Sequence, residues 1–166
     1  MKLAIFGLAV SSSWGNGHAA LWRGLIAALL RQGHSVTFFE RDAPWYAANR
    51  DLEELPAGGR LLLYSGWDEV RAEARHALEH TDVAVITSYC PDAQAAADLM
   101  EDCAGPVRCF YDLDTAVTLA RLNAGERVDY LPNQGLGLFD LVLSYTGGEA
   151  LDILRNRLGA RRVSVS

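Results

Sequence analysis

The sequence predicts a doubly wound α/β fold: a mostly parallel sheet of about six or seven strands with helices on both faces. Three observations point there. Short β-branched or aromatic runs alternate with longer segments of helical period along the whole chain. The length, 166 residues, suits one domain, 1–166, and no repeat, low-complexity tract or composition shift divides it. Half the residues are hydrophobic and 22% are charged, enough apolar material for a substantial core.

The elements follow in order. Lys2 to Leu8 is a first buried strand, and Ala9 to His18 is a loop. Ala19 to Arg31 sets Leu21, Trp22, Leu25, Ile26, Leu29 and Leu30 at helical spacing, and Gly33 stops that helix. His34 to Glu40 is the second strand. Asp42 to Gly59 has no clear period and is expected to be loop with a short helix. Arg60 to Tyr64 is the third strand, and Asp68 to Glu79 is a helix with Val70, Ala74, Ala77 and Leu78 on one face. Asp82 to Thr87 is the fourth strand. Pro91 suits the first position of a helix reaching Cys103, because its missing N–H is not needed there. Val107 to Asp112 is the fifth strand, Thr115 to Leu122 a short helix and Leu138 to Ser144 a sixth strand. Thr146 to Leu158 is the last helix, with Thr146 and Glu149 in capping-box spacing and Gly159 at its end. Arg162 to Val165 closes the sheet.

Composition removes several functions. Fifteen basic against twenty-one acidic residues give a net charge of −6, the wrong sign for gripping a nucleic-acid backbone. Lys2 is the only lysine, so there is neither a phosphate-loop lysine nor an interior Schiff-base lysine. Cys90, Cys103 and Cys109 are odd in number and never spaced C-x-x-C, which argues against a disulfide framework and against a zinc site. No apolar run reaches the roughly eighteen residues of a membrane span, and the N-terminal stretch is too short for an export signal. A cytoplasmic location is expected.

The strongest chemical candidate is the loop after the first strand, Ser11-Ser12-Ser13-Trp14-Gly15-Asn16-Gly17-His18. Gly15 and Gly17 permit close backbone approach, and the following helix offers unpaired amides suited to a phosphate. The pattern departs from G-x-G-x-x-G, since seven residues separate Gly7 from Gly15 and no third glycine comes three after Gly17. His18 opens the helix at the lip of the expected crevice, where an imidazole could take a proton from a hydroxyl or bind a sugar or phosphate oxygen. Asp112 and Asp114 close the fifth strand, where such sheets place ligand-binding groups. Alternate residues of an extended strand diverge, so one metal ion reaching both requires a turn, and no metal is expected. Glu40 fits either a ribose-binding acid or a charged strand end facing water. Thr146-Gly147-Gly148 offers a second anion nest that the capping box already explains. Trp14, Trp45, Tyr46 and Trp67 lie in or beside loops on the ligand side. His76 and His80 are four apart, a spacing that could hold a metal, but their faces carry Arg75 and Glu79, so a solvated face is expected instead; His34 is expected to be structural.

The opening IFGLAVSSSWGNGHAALWRGLIAALLRQGHSVTFFERDAPWYAANRDL resembles the N-terminal part of CgeB-like, spore-maturation-type glycosyltransferases of the two-Rossmann-domain GT-B class. YDLDTAVTLARL and DLVLSYTGGEALDILRNRLGARRV continue the resemblance over nearly the whole chain. It implies a Rossmann-like, acceptor-side N-terminal domain of an enzyme that moves a sugar from a nucleotide-sugar donor to a hydroxyl acceptor. It further implies a C-terminal donor-binding domain beyond Ser166, no activity of this half alone and no cofactor beyond the nucleotide-sugar co-substrate. Ser13, Trp14, Gly15, Asn16 and Gly17 would then approach donor or substrate. His18 would be the base of an inverting reaction or a hydrogen-bond partner in a retaining one. Asp112 and Asp114 fall in the family-like DLDT stretch without an assigned role, and Ala116 stands where a proline is expected. Two other functions fit the bare residues: a stand-alone nucleotide- or dinucleotide-binding domain, and a receiver-like interaction module, which normally needs a lysine beside its acidic site.

Overall fold

The computed structural model describes residues 1–166 and contains one sheet of seven strands, all parallel. The elements run β1 (Lys2–Gly7), α1 (Gly17–Arg31), β2 (Ser35–Arg41), α2 (Pro44–Ala47), β3 (Gly59–Tyr64), α3 (Trp67–Glu79), β4 (Val83–Thr87), α4 (Ala93–Asp102), β5 (Val107–Asp112), α5 (Thr115–Asn123), β6 (Leu141–Ser144), α6 (Glu149–Asn156) and β7 (Val163–Val165). The spatial order is β3-β2-β1-β4-β5-β6-β7. The chain therefore winds outward from β1 in one direction, crosses back, and winds outward from β4 in the other. This is the Rossmann-like doubly wound arrangement, and its direction reverses between β1 and β4.

Strand periodicity divides the core. Ile5, Phe38, Val85, Cys109 and Tyr111 face Trp22 and Ile26 of α1. Phe6, Phe39, Ile86, Phe110 and Val142 face the other way, onto Val70, Ala74 and Leu78 of α3, the alanines of α4, Leu119 of α5 and Leu154 of α6. Leu52 and Leu55 of the β2–β3 connection extend the cover beside α1. A Cβ at Gly7 would stand 2.5 Å from the ring of Phe38 on the neighbouring strand β2, so that position requires glycine. No helix is long and apolar enough to cross a membrane.

Two helix starts differ from expectation. Helix α6 begins at Glu149 with Gly148 as cap at φ +64°, and no side chain caps it. Thr146 is instead held outside the helix by Ser144, whose hydroxyl accepts from the Thr146 amide at 3.1 Å and donates to its carbonyl at 2.6 Å. The Gly147-Gly148 turn thus intervenes, and the expected capping box does not form. In α4, Pro91 precedes the helix rather than occupying its first position. Asp92, bound by Arg41 at 2.5 Å and by the Tyr64 hydroxyl at 2.9 Å, keeps a non-helical backbone, so the helix starts at Ala93.

Candidate functional site

The β1–α1 loop is built around a buried acid. Glu40, at the carboxyl end of β2 and wholly inaccessible, accepts from the Val10 amide at 2.7 Å, the Ser11 amide at 2.9 Å and the Ser11 hydroxyl. Burial pushes its carboxyl above the ordinary 4.5, against the downward pull of the Ser11 and Val10 hydrogen bonds. The water-facing expectation for Glu40 is therefore corrected, because the long loop folds back and surrounds it. Further along, the Ser12 hydroxyl donates to the Asn49 carbonyl at 2.8 Å. Ser13 binds the Asp51 carboxylate through its amide at 3.2 Å and through its hydroxyl. Arg23 binds the same carboxylate. These bonds hold Asp51 well below the usual carboxylate range, with the Arg23 and Ser13 side-chain bonds the largest causes.

The loop ends on a helix cap. Gly15 takes the left-handed conformation at φ +57° that the turn demands. Asn16 is extended and nearly buried; its Oδ1 accepts from the His18 amide at 3.0 Å, and its Nδ2 donates to the Ala9 carbonyl at 2.8 Å. Both ends of Asn16 are thus engaged within the chain. The Gly17 and Ala19 amides find no acceptor in it.

Leu8, Gly15, Asn16, Gly17, His18, Tyr46, Tyr89 and Asp114 line a cleft of about 410 Å³. Their elements explain the meeting. Leu8 and Gly15 to His18 follow β1, Tyr89 follows β4 and Asp114 follows β5, so the cleft opens at the point where the winding reverses. His18 Nε2 lies 3.0 Å from Asp114 Oδ2, across 96 residues of sequence. His18 Nδ1 is buried without a hydrogen-bond partner, and the ring packs against Tyr89 with centroids 5.4 Å apart. Tyr89 is the one non-glycine residue with positive φ, +62°. Its ring also meets Tyr130, at 4.9 Å. Burial, and then the Asp114 charge, push the Tyr89 phenol up.

Asp112 lies beneath this surface, fully inaccessible. Its Oδ1 accepts from the Asp114 amide at 3.1 Å, while its Oδ2 is buried without a partner. Burial raises its carboxyl above 3.8. Asp112 thus fixes the turn that presents Asp114, and the two carboxylates have separate surroundings. Of the residues expected at the site, Gly15, Asn16, Gly17, His18 and Asp114 converge. Asp112 supports Asp114 from behind, whereas Ser13, exposed and tied to Asp51, and Trp14, 57% exposed, lie outside the cleft lining. Tyr89 was not anticipated. Its one signal is its place just past the carboxyl end of β4, beside β1, and that adjacency exists only once the sheet is assembled.

Comparison with family models and with curated proteins finds no match to this chain.

Proposed function

We propose that this chain forms the acceptor-side wall of a glycosyl-transfer site, with His18 as general base oriented by Asp114. The observation that carries this reading is the 3.0 Å imidazole–carboxylate pair at the cleft. Asp114 accepts the Nε2 proton, which leaves the lone pair of the neutral ring on Nδ1. In the reaction the acceptor O–H proton passes to Nδ1, the acceptor oxygen bonds to the anomeric carbon, and the nucleoside diphosphate leaves with the broken C–O pair. Asp114 stabilises the imidazolium that results. Because Nδ1 is covered, the hydroxyl gains access when Tyr89, which packs on the ring, moves aside and leaves the Nε2–Asp114 bond in place.

The resemblance to CgeB-like glycosyltransferases agrees with this chemistry, and so does the lining. It contains no arginine or lysine, so the donor's diphosphate charge calls for cations from a further domain, with the Gly17 amide as this wall's contribution. A dinucleotide-binding reading draws support from the strand order. Glu40 speaks against it, since the acid that would hold a ribose is buried against Val10 and Ser11.

The test uses a protein carrying this chain together with a donor-binding domain. His18→Ala and Asp114→Asn should each lower nucleotide-sugar-dependent transfer by roughly 10²–10⁴-fold with unfolding midpoints unchanged. Full transfer by H18A would remove the base assignment. Calorimetry of the 166-residue chain with NAD, UDP and GDP separates the two readings, because a titratable NAD isotherm would favour the dinucleotide domain.

A further inference from the structure

At the amino ends of the strands, opposite the cleft, helix α3 ends in His76-Ala77-Leu78-Glu79-His80. Glu79 is its last helical residue, and His80 leaves the helix at φ −122°. All three polar side chains are exposed, and their potential ligand atoms lie within 4.8 Å of one another. The rings of His76 and His80 are 4.4 Å apart. His80 Nδ1 donates to the His76 carbonyl at 2.8 Å, so in the neutral ring the lone pair sits on Nε2. A backbone carbonyl holding the remote ring nitrogen is the arrangement that orients a ligating imidazole.

The charges nearby are compatible with a cation. Arg75, which sequence alone sets on the same face, is turned to Asp102 at 3.3 Å, and Arg60 is paired with Glu73 at 2.5 Å. Glu79 makes no hydrogen bond or ion pair within 4 Å and is free to ligate; the one opposing charge is Lys2, which lines the adjoining hollow with both histidines and must swing its flexible chain away toward solvent. The terminal carbonyls of α3 add partial negative charge at the same end.

We propose that His76, Glu79 and His80 bind one divalent first-row transition ion of the zinc class, with water completing the coordination. Two imidazoles and one carboxylate suit zinc, cobalt, nickel or copper; magnesium and calcium prefer oxygen-only shells. Metal–ligand bonds of about 2 Å require the three donors to draw together, which exposed side chains achieve by rotation. The ion would tie the last turn of α3 to the connection entering β4, where the Thr81 hydroxyl already donates to the Lys2 carbonyl at 2.7 Å. Its role is structural and independent of the transfer chemistry.

The experiment titrates the tag-free chain with Zn²⁺ by calorimetry and with Co²⁺ by visible absorption. The expected result is one equivalent bound, a raised unfolding midpoint with Zn²⁺, and shifted His76 and His80 ring resonances in NMR spectra. His76→Gln and His80→Gln should each weaken binding at least about tenfold, the lower bound for loss of even an outer partner. Far-UV circular dichroism of these exposed-site variants checks that they remain folded. The competing donor pair is the N-terminal amine and His34, 3.2 Å apart. Loss of binding in His34→Gln, retention in the His76→Gln/His80→Gln double variant, or no binding by the wild-type chain would each overturn the proposal.

Discussion

Glu40 shows how far a residue's role depends on what surrounds it. As part of Glu40-Arg41-Asp42 it has the composition of a solvent-facing strand end. In the structure it is the acceptor for three donors of the β1–α1 loop. Glu40→Ala should cost more than about 2 kcal/mol, because several buried donors lose their partner together. Glu40→Gln should cost less: its Oε1 can keep the two amides, and its Nε2 can donate to the Ser11 hydroxyl. Urea unfolding of both variants measures the difference, and equal losses would contradict the assignment. His18 is the converse case. Its chemical suitability was readable from residue type and position, whereas its partner Asp114 could not be paired with it from spacing, since a distant strand supplies that carboxylate.

At the scale of elements, helix ends separate local from tertiary causes. Asn16 caps α1 through its own neighbours, and Asn16→Ala should cost about 0.5–2 kcal/mol in thermal or urea melts. The start of α6 depends on a contact between elements. Ser144 Oγ holds Thr146 and also lies 2.7 Å from the Thr115 hydroxyl of α5, in a fully buried position. Ser144→Ala should therefore cost about 1–3 kcal/mol. Thr146→Ala should stay within about 0.5 kcal/mol, because its side chain caps nothing. A large loss in the threonine variant would restore the capping box that its spacing suggests. The strands and long helices were readable because hydrophobic period repeats over many residues, whereas a cap rests on one or two atoms.

For the whole molecule, buried and exposed acids pull stability in opposite directions with pH. Burial raises Glu40 and Asp112 in the folded chain above 4.5 and 3.8. Between those values and their raised folded values the native state holds more protons than the unfolded chain. Their contribution to stability is thus full in acid and is lost as pH rises through the folded values. Asp51 is depressed by Arg23 and Ser13, so its contribution is present above 3.8 and lost on acidification through the folded value. Urea midpoints measured from pH 4.5 to neutrality should accordingly fall less in Glu40→Gln and Asp112→Asn than in the wild type. An unchanged slope in both variants would mean that the two carboxyls titrate normally.

The doubly wound class and the strand sequence were present in the amino-acid order itself. Apolar periodicity and glycine placement act within a dozen residues and need no distant contact to be read. Which carboxylate faces His18, which acid is enclosed by the loop and which tyrosine covers the imidazole were settled only when β1, β2, β4 and β5 came together. Parallel pairing joins strands from distant parts of the chain, and a 3.0 Å hydrogen bond depends on that joining rather than on any local preference.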